Sequence, residues 1–428
     1  MTITITHHGP VIAGEPQSGT AVAISDPGLI MGTPWPDAVR DVMRSKSVNE
    51  LHESLRNWTD RVNNYAVADV HGNFGYLFAG KIPIRTETNG WQAVPGWTGE
   101  YEWQGYIPHE ELPTAINPAV GYVVTCNQRV VGHEYPYYLG LTFSPEHRAR
   151  RVQARLLELK AGQATVDDMA TIHAERLSIP ARILVSALDR VGLQDEDSVR
   201  AIERLRNWDY SIDRDLVEPT IYAKMRMKLT SWLAEQCLGD LAGDIFKGAA
   251  GGEEHVRHIV TEMLSALDVD DRAMLPEKHE WSNVLAQALQ QAVVDLKQTL
   301  GNDMSTWQWG RVHGTRQRHL LSLVFPELAE HLDPPSIAAH GDGDTPLAGS
   351  YSLDDFTVTT GSVNRYIHDP SDWTKSLWIV PLGSSGHPGS SHYADQAVMW
   401  SNVQYIPQLW DWEQIRSDAE SHQSLLPL

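Results

Sequence analysis

Residues 122–128, "YVVTCNQ", pass from an apolar run into a polar turn at Cys126-Asn127-Gln128. A primary amide at such a point donates hydrogen bonds without carrying charge or titrating. That is the property needed to hold a negative oxygen in an acyl-transfer intermediate. Asn also ends strands simply because it suits turns, and the residues alone leave both readings open. Other groupings are weaker. His255 and His258 stand one helical turn apart and could share a metal, but no third ligand follows nearby, and an exposed polar helix start accounts for them. Glu100/Glu102 and Glu110/Glu111 could supply a glycosidase pair, yet such pairs need a set spacing in three dimensions, and a solvated loop face explains them as well. Neither a phosphate-binding P-loop nor a dinucleotide glycine fingerprint is present, and "GDGDTPLAG" reads as a surface loop. "GSSGHPGSS" lacks the spacing of a nucleophile elbow. His133-Glu134 and His279-Glu280 have no second His one turn on, which excludes the zincin pattern.

Composition narrows the classes further. The 428 residues are 42% hydrophobic and 21% charged, as in ordinary globular proteins. A net charge of −21 argues against a nucleic-acid partner, because phosphate binding needs clustered Lys and Arg. No apolar stretch reaches the length of a membrane-spanning helix. Cys126 and Cys237 cannot build a disulfide framework. The 15 Trp against 6 Phe are unusual, and Trp-rich acidic loops leave a carbohydrate-active protein as one reading.

The elements that must position Asn127 follow from periodicity. "TITITHHG" and "TAVAIS" alternate as strands, and "NYAVADVHGNFGYLFAG" predicts a hairpin turning at His71-Gly72-Asn73. Ser47 to Glu50 and Thr165 to Asp168 are capping signals. Lys81–Pro118 reads as one long loop, which in a compact protein is functional or tightly packed. Helical spacing dominates the middle of the chain, with a break at Pro180, and short extended runs return from about Tyr351. The expected fold is α+β: a sheet core over 1–145, a mainly helical region over 146–345 and C-terminal strands over 346–428 returning to the core.

Several segments together resemble the penicillin acylase (penicillin amidase) family of N-terminal-nucleophile hydrolases. They are "THHGPVI", "YAVADVHGNFGYLFAGKIPIR", "VPGWTGEYEWQGYIPHEELPTAINPAVGYVVTCNQRV", "YPYYLG", "HRARRVQARLLE", "WDYSIDRD", "WQWGRVHGTRQRHLL" and "PLGSSGHPGSSHYADQAVMW". The resemblance implies a layered N-terminal-nucleophile sheet core with a helical insertion. It also implies hydrolysis of a linear amide in a penicillin, an acyl-homoserine lactone or a similar small-molecule acyl amide, through an acyl-enzyme. Asn127 matches the family's oxyanion donor, and Arg148 best matches an arginine that orders the site, with Arg150 and Arg151 as competitors. In the family, the nucleophilic Ser and the first strands precede the "HGPVI" element, which here occupies residues 8–12. This chain is therefore expected to lack the nucleophile, to be inactive alone, and to need as partner the N-terminal segment or light subunit of the same enzyme. Thr2, Ser384 and Ser385 have no family match to a nucleophile. The alternative is a truncated, non-catalytic acyl-ligand-binding or interaction protein. Family members carry a structural calcium, but its main ligands are expected outside this chain and Tyr135–Gly140 holds no acid, so no metal or other cofactor is expected here. "MTITITHHGPVIAG" lacks the features of a signal peptide, while the resemblance implies a periplasmic or secreted full-length enzyme.

Overall fold

Phe74–Ala79 is the best-buried strand of the first compact unit, Met1–Glu146, and it organises what surrounds it. The structure, a computed structural model, describes residues 3–32, 35–59, 61–246 and 252–426. Phe74–Ala79 pairs antiparallel with Asn63–Ala68 on one side and Thr114–Ile116 on the other. Alternation then sorts its side chains onto two faces. Tyr76 and Phe78 pack with Ile82, Ile107 and Leu112, and partly buried Val123 and Val130 join them. Leu77 and Ala79 pack with Leu55, Leu51 and Val42, so the helices Trp35–Arg44 and Val48–Ser54 cover that face. The hairpin turn is tied to the second helix through Asp69. Its carboxylate accepts N–H groups from His71, Asn73 and Val48 and the side-chain amide of Asn73. Burial alone would raise its pKa, but these bonds outweigh it and hold the carboxyl down to about 2.

Two expectations for this unit change. The apolar run Tyr122–Thr125 before the Asn127 turn belongs to no strand; both sides of Phe74–Ala79 are already paired, with Asn63–Ala68 and Thr114–Ile116. That short strand lies inside the segment expected to be all loop. The described strands of the chain are hydrogen-bonded as four small sheets.

The second unit, His147–Leu428, is built on the helix Glu218–Leu238. Large apolar residues (Ile221, Met225, Leu229, Leu233) line one face and Thr220, Ala223, Thr230 and Ala234 are buried on the other, so burial covers most of the circumference, as a central helix requires. Helices Trp281–Leu300, Glu196–Arg206, Ile179–Ala187 and Gly252–Asp268 pack against it. The break foreseen at Pro180 is a new start, with Ser178 capping the N–H of Ala181. Thr165 and Asp168 form the expected capping box.

Beside this bundle, three segments distant in sequence interlock. The N–H of Trp309 reaches the carbonyl of Leu216, that of Gly341 reaches Ile212, and the Trp309 indole donates to the carbonyl of Gly341. "GDGDTPLAG" is consequently no surface loop: Gly341, Asp342, Thr345 and Leu347 are buried. Gly341 has φ +81, and a Cβ there would lie 1.9 Å from the carbonyl oxygen of Leu347, so no other residue fits.

Candidate functional site

Asn127 stands on a turn that its neighbours hold in place. Its backbone is left-handed, with φ 67, a conformation that Asn tolerates better than most residues. The side chain of Gln128 clamps the turn from within: its Oε1 accepts the N–H of Cys126 at 2.6 Å and its Nε2 donates to the carbonyl of Val124 at 3.1 Å. The N–H of Ser144 donates to the carbonyl of Asn127 at 2.9 Å. Asn127 itself is exposed, whereas Val123 and Val130 on either side of the turn are packed into the core. A fixed backbone under an exposed neutral amide is an arrangement that can present a preorganised hydrogen-bond donor.

Arg148 belongs to the second unit, at the start of the helix His147–Leu157. His147 and Arg148 act electrostatically on the carboxylate of Asp344, in the loop the sequence reading placed at the surface. Arg226 donates to Asp344 at 2.7 Å and to the Tyr222 hydroxyl at 3.0 Å. Burial alone would raise the Asp344 pKa, but Arg226, His147 and Arg148 together pull it below the usual carboxylate value. Asp342, two residues away, goes the other way: burial and the adjacent Asp344 charge push it up to about 6. Arg151, a competitor of Arg148 on sequence grounds, is committed to Glu175 at 3.2 Å, and Arg150 is exposed. Sequence reading missed this buried carboxylate pair because its arginine lies over a hundred positions earlier, at 226 against 344.

Other groupings resolve simply. His392 is held between Asp395 at 2.7 Å and Glu420 at 3.0 Å, which raises its pKa to about 9. With both ring nitrogens engaged, it offers no base to Ser384 or Ser385. Thr2 and the side chains of His255 and His258 lie outside the described residues. Cys126 and Cys237 are not joined in a disulfide. The calcium implied by the resemblance would need six to eight oxygen ligands, about. Among the described residues, the two clusters able to hold a cation, His7/His8/Glu102 and His52/Glu53/His109, each offer a single carboxylate and do not fit it. No described helix is long and apolar enough to cross a membrane.

The sequence pattern of the penicillin amidase family matches residues 1–417. The chain belongs to the penicillin amidase family. Among its relatives, the penicillin acylase 2 proenzyme of Pseudomonas sp. (strain SE83) is 35% identical over 428 residues, covering 99% of this chain and 54% of that protein. The acyl-homoserine lactone acylase QuiP of Pseudomonas putida is 26% identical over 418 residues, covering 94% of this chain and 51% of that protein. The chain thus spans about half the length of the curated relatives it matches. In three dimensions it is similar to the thermostable penicillin G acylase from Alcaligenes faecalis, with a TM-score of 0.66 at 20% identity, over 100% of this chain and 79% of that one. The α+β fold with an N-terminal-nucleophile hydrolase architecture is therefore that of the penicillin amidase family.

Proposed function

We propose that this chain forms part of an amidohydrolase that acts on C–N bonds other than peptide bonds. It would cleave a linear amide such as the acyl side chain of a penicillin or an acyl-homoserine lactone. In this reading a nucleophile from a segment outside these residues attacks the amide carbonyl. The Nδ2–H of Asn127 stabilises the oxyanion, the amine leaves with a proton, and water hydrolyses the resulting acyl-enzyme. By the family resemblance, Arg148 would order polar groups of the site. The proposed functional organisation keeps three parts: 1–145 with the Asn127 turn, 146–345, and 346–428. The observation that carries this reading is the exposed Asn127 on a backbone turn fixed by Gln128 and Ser144, at the position that by resemblance matches the family's oxyanion donor.

The test joins the 428-residue chain, by co-expression, to a family N-terminal segment bearing the nucleophilic Ser. Hydrolysis of penicillin G and of acyl-homoserine lactones is then measured. The chain alone is expected to show no turnover and the assembly to be active. Asn127→Gly is the informative variant, because Gly accepts φ 67 and removes only the amide. It should lower kcat of the assembly by roughly a hundred- to a thousandfold, with little change in KM. Turnover by the chain alone, or full activity of Asn127→Gly, would overturn the proposal. An assembly that binds acyl amides without turnover would favour a non-catalytic binding protein.

A further inference from the structure

His52 and Glu53 are adjacent on the helix Val48–Ser54, and the single turn His109–Glu111, far along the chain, brings His109 against them. The two imidazoles stack with centroids 4.5 Å apart and planes 29° from parallel. His109 is 7% exposed. The Nε2 atoms of both rings are buried and have no hydrogen-bond partner. One ligand atom from each of His52, Glu53 and His109 lies within 4.8 Å of the other two. Each orphaned buried nitrogen costs about 1–3 kcal/mol, and two such imidazoles stacked against each other beside a carboxylate are an arrangement a single shared cation would satisfy.

Charge supports the same conclusion. Arg56 pairs with both Glu53 and Glu110, so two carboxylates share one guanidinium and the cluster keeps a net negative charge. Both bonds from Arg56 to Glu53 end on Oε2, which leaves Oε1 outside that pair. Tetrahedral ligands about 2.0–2.1 Å from a metal lie about 3.3 Å from one another. Ligand atoms up to 4.8 Å apart must therefore close by up to about 1.5 Å: the exposed Glu53 swings in by rotation, and His52 and His109 turn out of their stack so that both lone pairs face the ion. Two imidazoles and one carboxylate are borderline ligands that suit zinc-type ions, whereas hard calcium and magnesium require oxygen throughout.

We propose that His52, Glu53 and His109 form a three-ligand site for a divalent transition cation of the zinc type, with water in the fourth position. The bound ion joins the helix Val48–Ser54 to the end of the long loop that begins at Lys81. It is distinct from the Asn127 turn and needs no nucleophile.

Zinc titration of the chelator-treated chain, followed by calorimetry and by thermal unfolding, tests this. Saturable zinc binding with a raised Tm is expected, unaffected by excess magnesium or calcium. Glu53→Gln and His52→Ala should each weaken it at least about tenfold. Glu53 is exposed, so Glu53→Gln separates loss of the site from loss of the fold. Because His7, His8 and Glu102 form a second, more exposed cluster, His8→Ala is the control and should leave the binding intact. Absence of saturable binding, wild-type binding in both Glu53→Gln and His52→Ala, or loss on His8→Ala alone would each overturn the proposal.

Discussion

The backbone N–H of Ser144 donates to the carbonyl of Asn127 at 2.9 Å and closes the chain on itself around the Tyr-Pro-Tyr-Tyr cluster. With Gln128 bridging Cys126 and Val124, the turn beneath the Asn127 amide is fixed from two directions. Its geometry therefore depends on side chains other than that of Asn127.

Gln128→Ala removes both bridging bonds at once. Each contributes about 1 kcal/mol net, so the variant should lose about 2 kcal/mol. Urea unfolding measures this as a lower midpoint at unchanged slope. An unchanged midpoint would mean that Gln128 does not hold the turn.

Arg226→Met leaves the Asp344 carboxylate without its direct partner and the Tyr222 hydroxyl without a donor. Breaking one side of a buried pair costs about 3–5 kcal/mol. The double variant Arg226→Met/Asp344→Leu should recover much of that loss, because it strands no charge. Denaturant unfolding of the two single variants and the double variant measures the coupling.

Asp342 gives a pH dependence of unusual sign for a carboxylate. Burial and the Asp344 charge raise its pKa to about 6 in the fold, against the opposing pull of Arg226. A raised folded pKa contributes stability that is complete below about pH 4 and is lost as pH rises through 6. Asp342→Asn keeps an oxygen for the N–H of Asp344, which it now accepts at 2.8 Å. That variant should match the wild-type Tm near pH 4 and exceed it at pH 7.5; an equal Tm at both would show that Asp342 does not titrate in this window.

His313 works in the opposite direction. It is fully buried, stacked on Trp309 at 4.5 Å, with its Nδ1–H assigned to the carbonyl of Phe356 at 3.0 Å. Burial pushes its pKa down to about 4, against the raising effect of the Phe356 bond, and burial together with Arg176 does the same to His340. A lowered folded pKa contributes stability present above about pH 6.5 and lost as pH falls through 4. Thermal unfolding between pH 7 and pH 4 should fall less steeply in His313→Phe than in the wild type. His340 should retain the remainder of the slope, and an unaltered slope would assign all of it elsewhere.

Short-range signals in the sequence determined much of this protein. The alternation from Asn63 to Ala79, the caps at Ser47 and Thr165 and the helical spacings of the middle depend on neighbours a few residues apart, and each element formed where its pattern lay. The position of Asn127 at the end of an apolar run was legible for the same reason. What depended on distant partners was not. Tyr122–Thr125 has the composition of a strand but no ladder, because both sides of Phe74–Ala79 are already paired, with Asn63–Ala68 and Thr114–Ile116. "GDGDTPLAG" has the polarity of a surface loop, yet Arg226 draws Asp344 into the interior and the indole of Trp309 meets the carbonyl of Gly341. His109 reaches His52 only because the long loop from Lys81 folds back onto the helix Val48–Ser54. Local patterns set backbone conformation, since they act within a turn or a pleat. Which buried charge or imidazole meets which partner is decided by chain closure over tens to hundreds of residues, and only the tertiary structure contains that.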